Sequence, residues 1–197
     1  HESLAGKCNF LNRPVVNEYT EFLWNMLKQL GLGKKRRIKN FSFILTHDVD
    51  VLRRYKSTLS VCKEAAGDIL KRKSPVTGFN KLVEFAKIKT GIRKDPFDTF
   101  EYLMTLSEKY KHKSYFFFMA GGNTRHDNYY EIDNTLTKKI IKNIQERGHQ
   151  IGFHPSFNAY NNAKQFKREL EALVQTANQD IKFGRQHFLR FEVPTTW

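Results

Sequence analysis

Asp48 and Asp50 end the segment Phe41-Ser42-Phe43-Ile44-Leu45-Thr46-His47-Asp48-Val49-Asp50, an apolar run that stops in two carboxylates spaced two apart. The run reads as a strand buried on both faces, as in parallel sheets covered by helices. Side chains alternate along a strand, so two acids at this spacing share a side if the extended geometry persists. Carboxylates at the C-terminal end of a buried parallel strand stand where α/β folds, and barrels in particular, place catalytic groups. The competing reading is structural: Asp50 caps a following helix and Asp48 faces solvent.

Two more strand ends carry polar groups. Gly148-His149-Gln150-Ile151-Gly152-Phe153-His154-Pro155-Ser156 reads as a short strand after a helix, stopped by Pro155. His149 and His154 lie an odd number of residues apart, so a regular strand sends them to opposite faces. His154, at the strand end, is the ligand candidate, and His149 is expected to tether backbone. Gly184-Arg185-Gln186-His187-Phe188-Leu189-Arg190-Phe191 reads as another strand with polar groups at its finish.

These residues resemble the polysaccharide deacetylase family, also called the NodB-homology or carbohydrate esterase family four domain. Its first motif, Thr-Phe-Asp-Asp-Gly, has a variant counterpart in Thr46-His47-Asp48-Val49-Asp50. The resemblance implies that Asp48 is the general base and Asp50 a metal ligand. The Gly148 to Ser156 stretch is similar to the family's second motif and makes His154 a metal ligand. Arg190, in Leu189-Arg190-Phe191, matches the third-motif arginine that orients the base. The resemblance runs from about Phe41 to the C-terminus.

The departures are specific. Where the family has a second metal histidine, four residues after the first, this chain has Asn158. An amide oxygen is a poor zinc ligand beside imidazole and carboxylate. His187, just before Arg190, is the substitute ligand, or else a hydrogen-bonded histidine inside the fold. Thr46, Ser156, Asn158 and Arg185 are the expected supporting or substrate-facing residues. The family's later motifs, an Asp-Trp pair and a Leu-His pair supplying the general acid, have no counterpart here.

Alternating elements must position these groups. Val15, Val16, Tyr19, Phe22, Leu23, Met26, Leu27 and Leu30 follow helical spacing, with Gly31 as the stop, and a basic connector runs from Gly33 to Asn40. Residues 1–40 are thus a helical segment and connector, and 41–197 the deacetylase-like part. Val51 to Lys113 must hold several helices before the strand Ser114 to Ala120. One of them is expected to start at Asp95-Pro96, as N-cap and first-turn proline. Leu136, Ile140, Ile141 and Ile144 make a helix face ended by Gly148, and Phe166, Leu170, Leu173, Val174 and Ala177 make the next. The fold expected is α/β: a partial parallel (β/α) barrel of the NodB-homology type with about four strands, completed by further C-terminal residues or by another chain.

The chain of 197 residues carries 17 Phe and 8 Tyr, enough for a core, and has no apolar run of membrane-spanning length. The start at His1 suggests a piece of something longer. Cys8 and Cys62 lack metal-ligand spacing and read as reduced thiols, which fits a cytoplasmic, membrane-associated or free, location. The net charge of +14 includes the cluster Lys34-Lys35-Arg36-Arg37. It would suit nucleic acid, anionic lipid or an acidic glycan, but no nucleic-acid module is recognisable and the aromatic residues sit in core-like runs, so the reading preferred is a solvated surface whose acidic counterweight lies in another part of the protein.

The resemblance implies a metal-dependent hydrolase that removes N-acetyl groups from sugars of a surface polysaccharide or glycolipid. Its cofactor would be a divalent ion, zinc first and cobalt or nickel as alternatives. Without the later general acid, this chain alone is expected to be nearly inactive on acetylated amino sugars. The alternatives are a non-catalytic carbohydrate-binding or assembly module of the same fold, and a basic domain binding nucleic acid or anionic lipid.

Overall fold

The structure, a computed structural model, describes residues 3–37, 40–127 and 130–196. Ile38 and Lys39 of the basic connector, and the terminal Trp197, lie outside the described residues. The chain divides into two units, His1–Ser42 and Phe43–Trp197. The first holds α1 (Leu4–Lys7), capped by Ser3, and the amphipathic α2 (Val15–Gln29), whose first turn is tied by an Arg13–Glu18 ion pair.

The second unit is a mixed α/β structure on a three-stranded parallel sheet, ordered β1 (Leu45–Val49), β2 (Ser114–Phe118), β3 (Gln150–Phe153). The sheet is open, and it has three strands where four were expected. Residues 184–191 contribute a single parallel bridge, Phe153 to Gly184, and then turn into a short 3-10 segment, His187–Leu189. The turn has a local cause: Phe188 and Leu189 both adopt left-handed backbone angles, which end an extended segment.

The first strand is also shorter than its apolar run. Leu45 pairs with Ser114, where β2 begins, so Phe41 to Ile44 have no β2 residue to pair with. Phe41 is 93% exposed. β1 is an edge strand and only Val49 is fully buried, whereas the central β2 carries the buried Phe116, Phe117 and Phe118. The double-sided burial expected for β1 belongs to β2.

Three helices fill the gap between β1 and β2: α3 (Thr58–Leu70), α4 (Pro75–Lys89) and α5 (Phe100–Lys109). Ser57 and Ser60 form a capping box on α3, so Asp50 is not its cap. Nor does Asp95 cap α5, which starts only at Phe100 behind Thr99. The Asp95 carboxylate instead accepts the backbone N–H groups of Arg54 and Phe97, clamping the loop after β1 to the approach of α5. α6 (Thr135–Glu146) leads through Gly148, at φ +78°, into β3, and α7 (Ala163–Ala177) follows. Among the described residues no helix is long and apolar enough to cross a membrane.

Alternation assigns the two sheet faces. Val49, Phe116, Phe118, Ile151 and Phe153 join Phe100, Met104, Ile141, Ile144 and Leu173 in the main core. The opposite face carries the row Asp48, Phe117, Gly152, which the register aligns across all three strands. Gly152 is required there because Phe117 lies over it: a Cβ at this position would stand 2.1 Å from a Phe117 ring carbon. Gly152→Ala should therefore cost about 1–3 kcal/mol by overpacking. Thermal unfolding should show a Tm lower by several degrees, and an unchanged Tm would mean that the ring does not cover Gly152.

Candidate metal centre

The C-terminal ends of the strands and the segment beside β3 bring three ligand atoms together. β1 delivers Asp50 just past its last residue. β3 delivers His154, whose N–H donates to the Phe118 carbonyl at 2.9 Å and so extends the ladder by one residue. The segment after Gly184 runs alongside β3: Arg185 N–H donates to Phe153 O at 2.9 Å and His187 N–H to Pro155 O at 3.1 Å. Two histidines at unrelated chain positions thereby meet ring to ring, 4.9 Å between centroids.

Hydrogen bonds on the far side of each ring set its tautomer. His154 Nδ1 is 2.5 Å from the Arg185 carbonyl, and His187 Nε2 is 2.8 Å from the His126 carbonyl. A carbonyl only accepts, so those nitrogens carry the protons. The remaining nitrogens, His154 Nε2 and His187 Nδ1, present lone pairs 3.0 Å apart. Asp50 Oδ1 stands 3.4 Å from the first and 3.9 Å from the second. That oxygen is buried and has no hydrogen-bond partner of acceptable geometry, although the Asp50 side chain as a whole is partly exposed. Three acceptors facing one point without a donor is a costly arrangement unless a cation or a proton lies between them.

The separations admit a small divalent ion. Tetrahedral zinc with bonds of about 2.0–2.1 Å places its ligand atoms about 3.3 Å apart, and the three observed separations bracket that value. The outer hydrogen bonds to Arg185 O and His126 O are the orienting contacts that metal-bound imidazoles ordinarily make. Asp50, His154 and His187 thus form a triad able to hold a divalent ion, one carboxylate and two imidazoles, with Asn158 taking no part. The same geometry shifts the titration of two of these groups in opposite directions. Pairing with His154 holds the Asp50 carboxyl below its ordinary range against the effect of burial. Burial disfavours the His154 cation, but Asp50, the Arg185 carbonyl and Asp48 together raise its pKa above the ordinary 6.5.

Asp48 lies next to this triad in the chain and is held by a different arginine from the one expected. Arg185 Nη1 donates to Asp48 Oδ1 at 2.9 Å, and Nη2 donates to Thr46 Oγ1 at 2.7 Å. The guanidinium lies over the Phe117 ring, 5.2 Å from its centroid, so the row that includes Gly152 also supports Arg185. Arg190 points elsewhere. It donates to the Phe157 carbonyl and Asn158 Oδ1, and its guanidinium sits 4.0 and 3.8 Å from the Phe157 and Tyr160 ring centroids. The early turn at Phe188 accounts for this: Arg190 follows the 3-10 segment instead of ending a strand.

Ser156 supports the loop rather than the ligand point. Its N–H and hydroxyl both bond to the buried Glu169 carboxylate, at 3.0 and 2.6 Å, and Gln165 completes the network. His149 fulfils a tethering role, accepting the Ser114 N–H at 3.0 Å through Nδ1 and facing Glu108 through Nε2.

Sequence reasoning missed the loop that fixes His187. Its His126 acts through a backbone carbonyl, which no residue type announces. Asp127 anchors that loop by accepting the N–H of Phe157 at 2.8 Å and both the N–H and hydroxyl of Thr124. Burial opposes its charge, yet those donors keep its pKa below the ordinary carboxylate value. Tyr130 was also missed: its hydroxyl donates to Val49 O at 2.8 Å and accepts from Met119 N–H at 2.9 Å, stapling the ends of β1 and β2. A cleft of about 330 Å³ opens beside Asp50, lined by Leu52, Arg53, Tyr55, Lys56, Tyr130 and Glu131 among others. No protein-family model, curated protein or solved structure matches the chain, so the functional reading rests on this geometry and on the motif resemblance.

Proposed function

We propose that the protein is a metal-dependent hydrolase of the polysaccharide-deacetylase type, removing N-acetyl groups from sugars of a surface polysaccharide or glycolipid. On this reading the open sheet belongs to a (β/α) barrel of the NodB-homology kind. The observation that carries it is the convergence of the buried, unpartnered Asp50 Oδ1 with two imidazole lone pairs, beside the arginine-held carboxylate of Asp48.

Asp50, His154 and His187 would hold the ion. A divalent cation in such a site supplies Lewis acidity to a water and to an acyl oxygen. Asp48 takes the proton released when water attacks, through its free oxygen, while Arg185 and Thr46 keep the carboxylate oriented. Tyr130 and the His126–Asp127 loop keep the strand end and His187 in place. An amide nitrogen leaves only when protonated, whereas an aryl oxide leaves without a proton. Hydrolysis of 4-nitrophenyl acetate therefore tests the water-attack half of the reaction by itself. We expect zinc-dependent, chelator-sensitive hydrolysis of this ester. A chain that binds N-acetylated sugar but gives no metal-dependent ester hydrolysis would favour the non-catalytic binding module.

Arg185→Lys probes the orienting contact. Lysine keeps the charge but cannot bridge Asp48 and Thr46 with a planar fork. The ester rate should fall by about tenfold while zinc affinity stays unchanged, because only the Arg185 backbone carbonyl touches His154. A parallel loss of zinc would show that the side chain serves the metal site instead of the base.

A further inference from the structure

The cleft beside Asp50 contains two cations to which the hydrolytic reading gives no task. Arg53 and Lys56 line it together with Tyr55, Tyr130 and Glu131. The Arg53 guanidinium makes no hydrogen bond or ion pair among the described residues. Its neighbour Arg54 differs: it stands 3.6 Å from Glu64 and 4.9 Å from the Tyr55 ring centroid. In a chain with 34 basic and 20 acidic residues, an unpaired arginine alone means little. Its position is what counts, three residues past Asp50 and in the cleft that Asp50 also lines.

The local charge balance depends on the ion. Asp50 and Glu131 offset Arg53 and Lys56, so a divalent cation held by Asp50 leaves the cleft with two positive charges in excess. A guanidinium offers a planar fork of donors matched to the two oxygens of a carboxylate or phosphate, and a nearby ammonium adds a second point charge. The hydroxyls of a neutral sugar could accept hydrogen bonds from either group but would leave the excess charge uncompensated.

Resting on the metal-hydrolase reading above, we propose that this cleft binds an anionic group of the substrate: the N-acyl sugar carries a phosphate or a carboxylate, gripped by Arg53 and assisted by Lys56. The site would thereby select charged over neutral acyl-amino sugars.

The test is calorimetric titration of the chain, with and without zinc, using N-acetylglucosamine, N-acetylglucosamine 1-phosphate and N-acetylmuramic acid. At low salt, at least one of the two charged sugars should bind about tenfold or more tightly than the neutral one. Whichever does so identifies phosphate or carboxylate as the group recognised. The advantage should shrink as salt rises and inorganic phosphate should compete for it. Arg53→Gln should erase it while zinc stoichiometry and neutral-sugar affinity stay the same. Equal affinity for neutral and charged sugars, or an advantage that survives both Arg53→Gln and Lys56→Gln, overturns the proposal. Its failure is separable from that of the hydrolytic reading. A charged-sugar advantage lost in Arg53→Gln, without zinc-dependent ester hydrolysis, keeps the anion site and discards the deacetylase. Zinc-dependent hydrolysis with no charge preference does the reverse.

Discussion

Replacing His187 with alanine will abolish tight zinc binding, and Asp50→Ala will do the same. Each change removes one of the three protein ligand atoms that converge among the described residues. Loss of an outer hydrogen-bond partner of a metal ligand typically costs about 10–100-fold in affinity, so loss of the ligand itself should exceed about 100-fold. Competition titration against a zinc chelator reads this directly. Asn158→His, by contrast, should leave affinity unchanged, because the Asn158 amide is engaged by Arg190 and His187 already fills the coordination set. The resemblance alone would have predicted a gain. Protons compete with the ion at His154, whose pKa is raised above 6.5 chiefly by Asp50 once the opposing effect of burial is overcome. Affinity should therefore be full at alkaline pH and begin to fall while pH is still above 6.5, as the imidazole takes up its proton. Retention of tight binding by His187→Ala would remove His187 from the centre.

The second large effect belongs to Asp48. Asp48→Asn keeps the shape of the side chain and can still accept from Arg185 through its amide oxygen, but it cannot take the proton of attacking water. Zinc-dependent ester hydrolysis should drop by about 10²–10⁴-fold, the usual contribution of a positioned general base, with zinc affinity unaltered. This pairing of outcomes matters because Asp48 is in the strand and Asp50 just beyond it: the first should control rate alone, the second metal and rate together. If Asp48→Asn turns over the ester as fast as the parent, some other group takes the proton.

Much of the site could be read from local pattern, and the limits of that reading have physical causes. Asp50 and His154 follow apolar strands directly, so a period of two and a stop signal were enough to place them at strand ends. His187 was legible as a ligand candidate from its place on the next segment, although that segment makes only one bridge. Arg190 misled because its role presumed an extended backbone through residue 190. Phe188 and Leu189, with left-handed angles that neither residue type favours, break that extension. Arg185, five residues earlier, then reaches Asp48 while its own carbonyl orients His154. The helix start at Asp95-Pro96 misled in the same way: the carboxylate had a second claimant, the Arg54 N–H, forty-one residues away in sequence. Contacts of this kind, and the His126 carbonyl above all, have no signature in residue type or spacing.

On the proposed reading, one divalent ion is shared by Asp50, His154 and His187. X-ray absorption at the zinc edge, on the chain loaded with one equivalent, tests it most directly. The spectrum should show two imidazole nitrogens at about 2.0–2.1 Å with oxygen donors completing the shell, and His187→Ala should lose one of them. A spectrum with no imidazole scattering, or one that His187→Ala leaves unchanged, would contradict it.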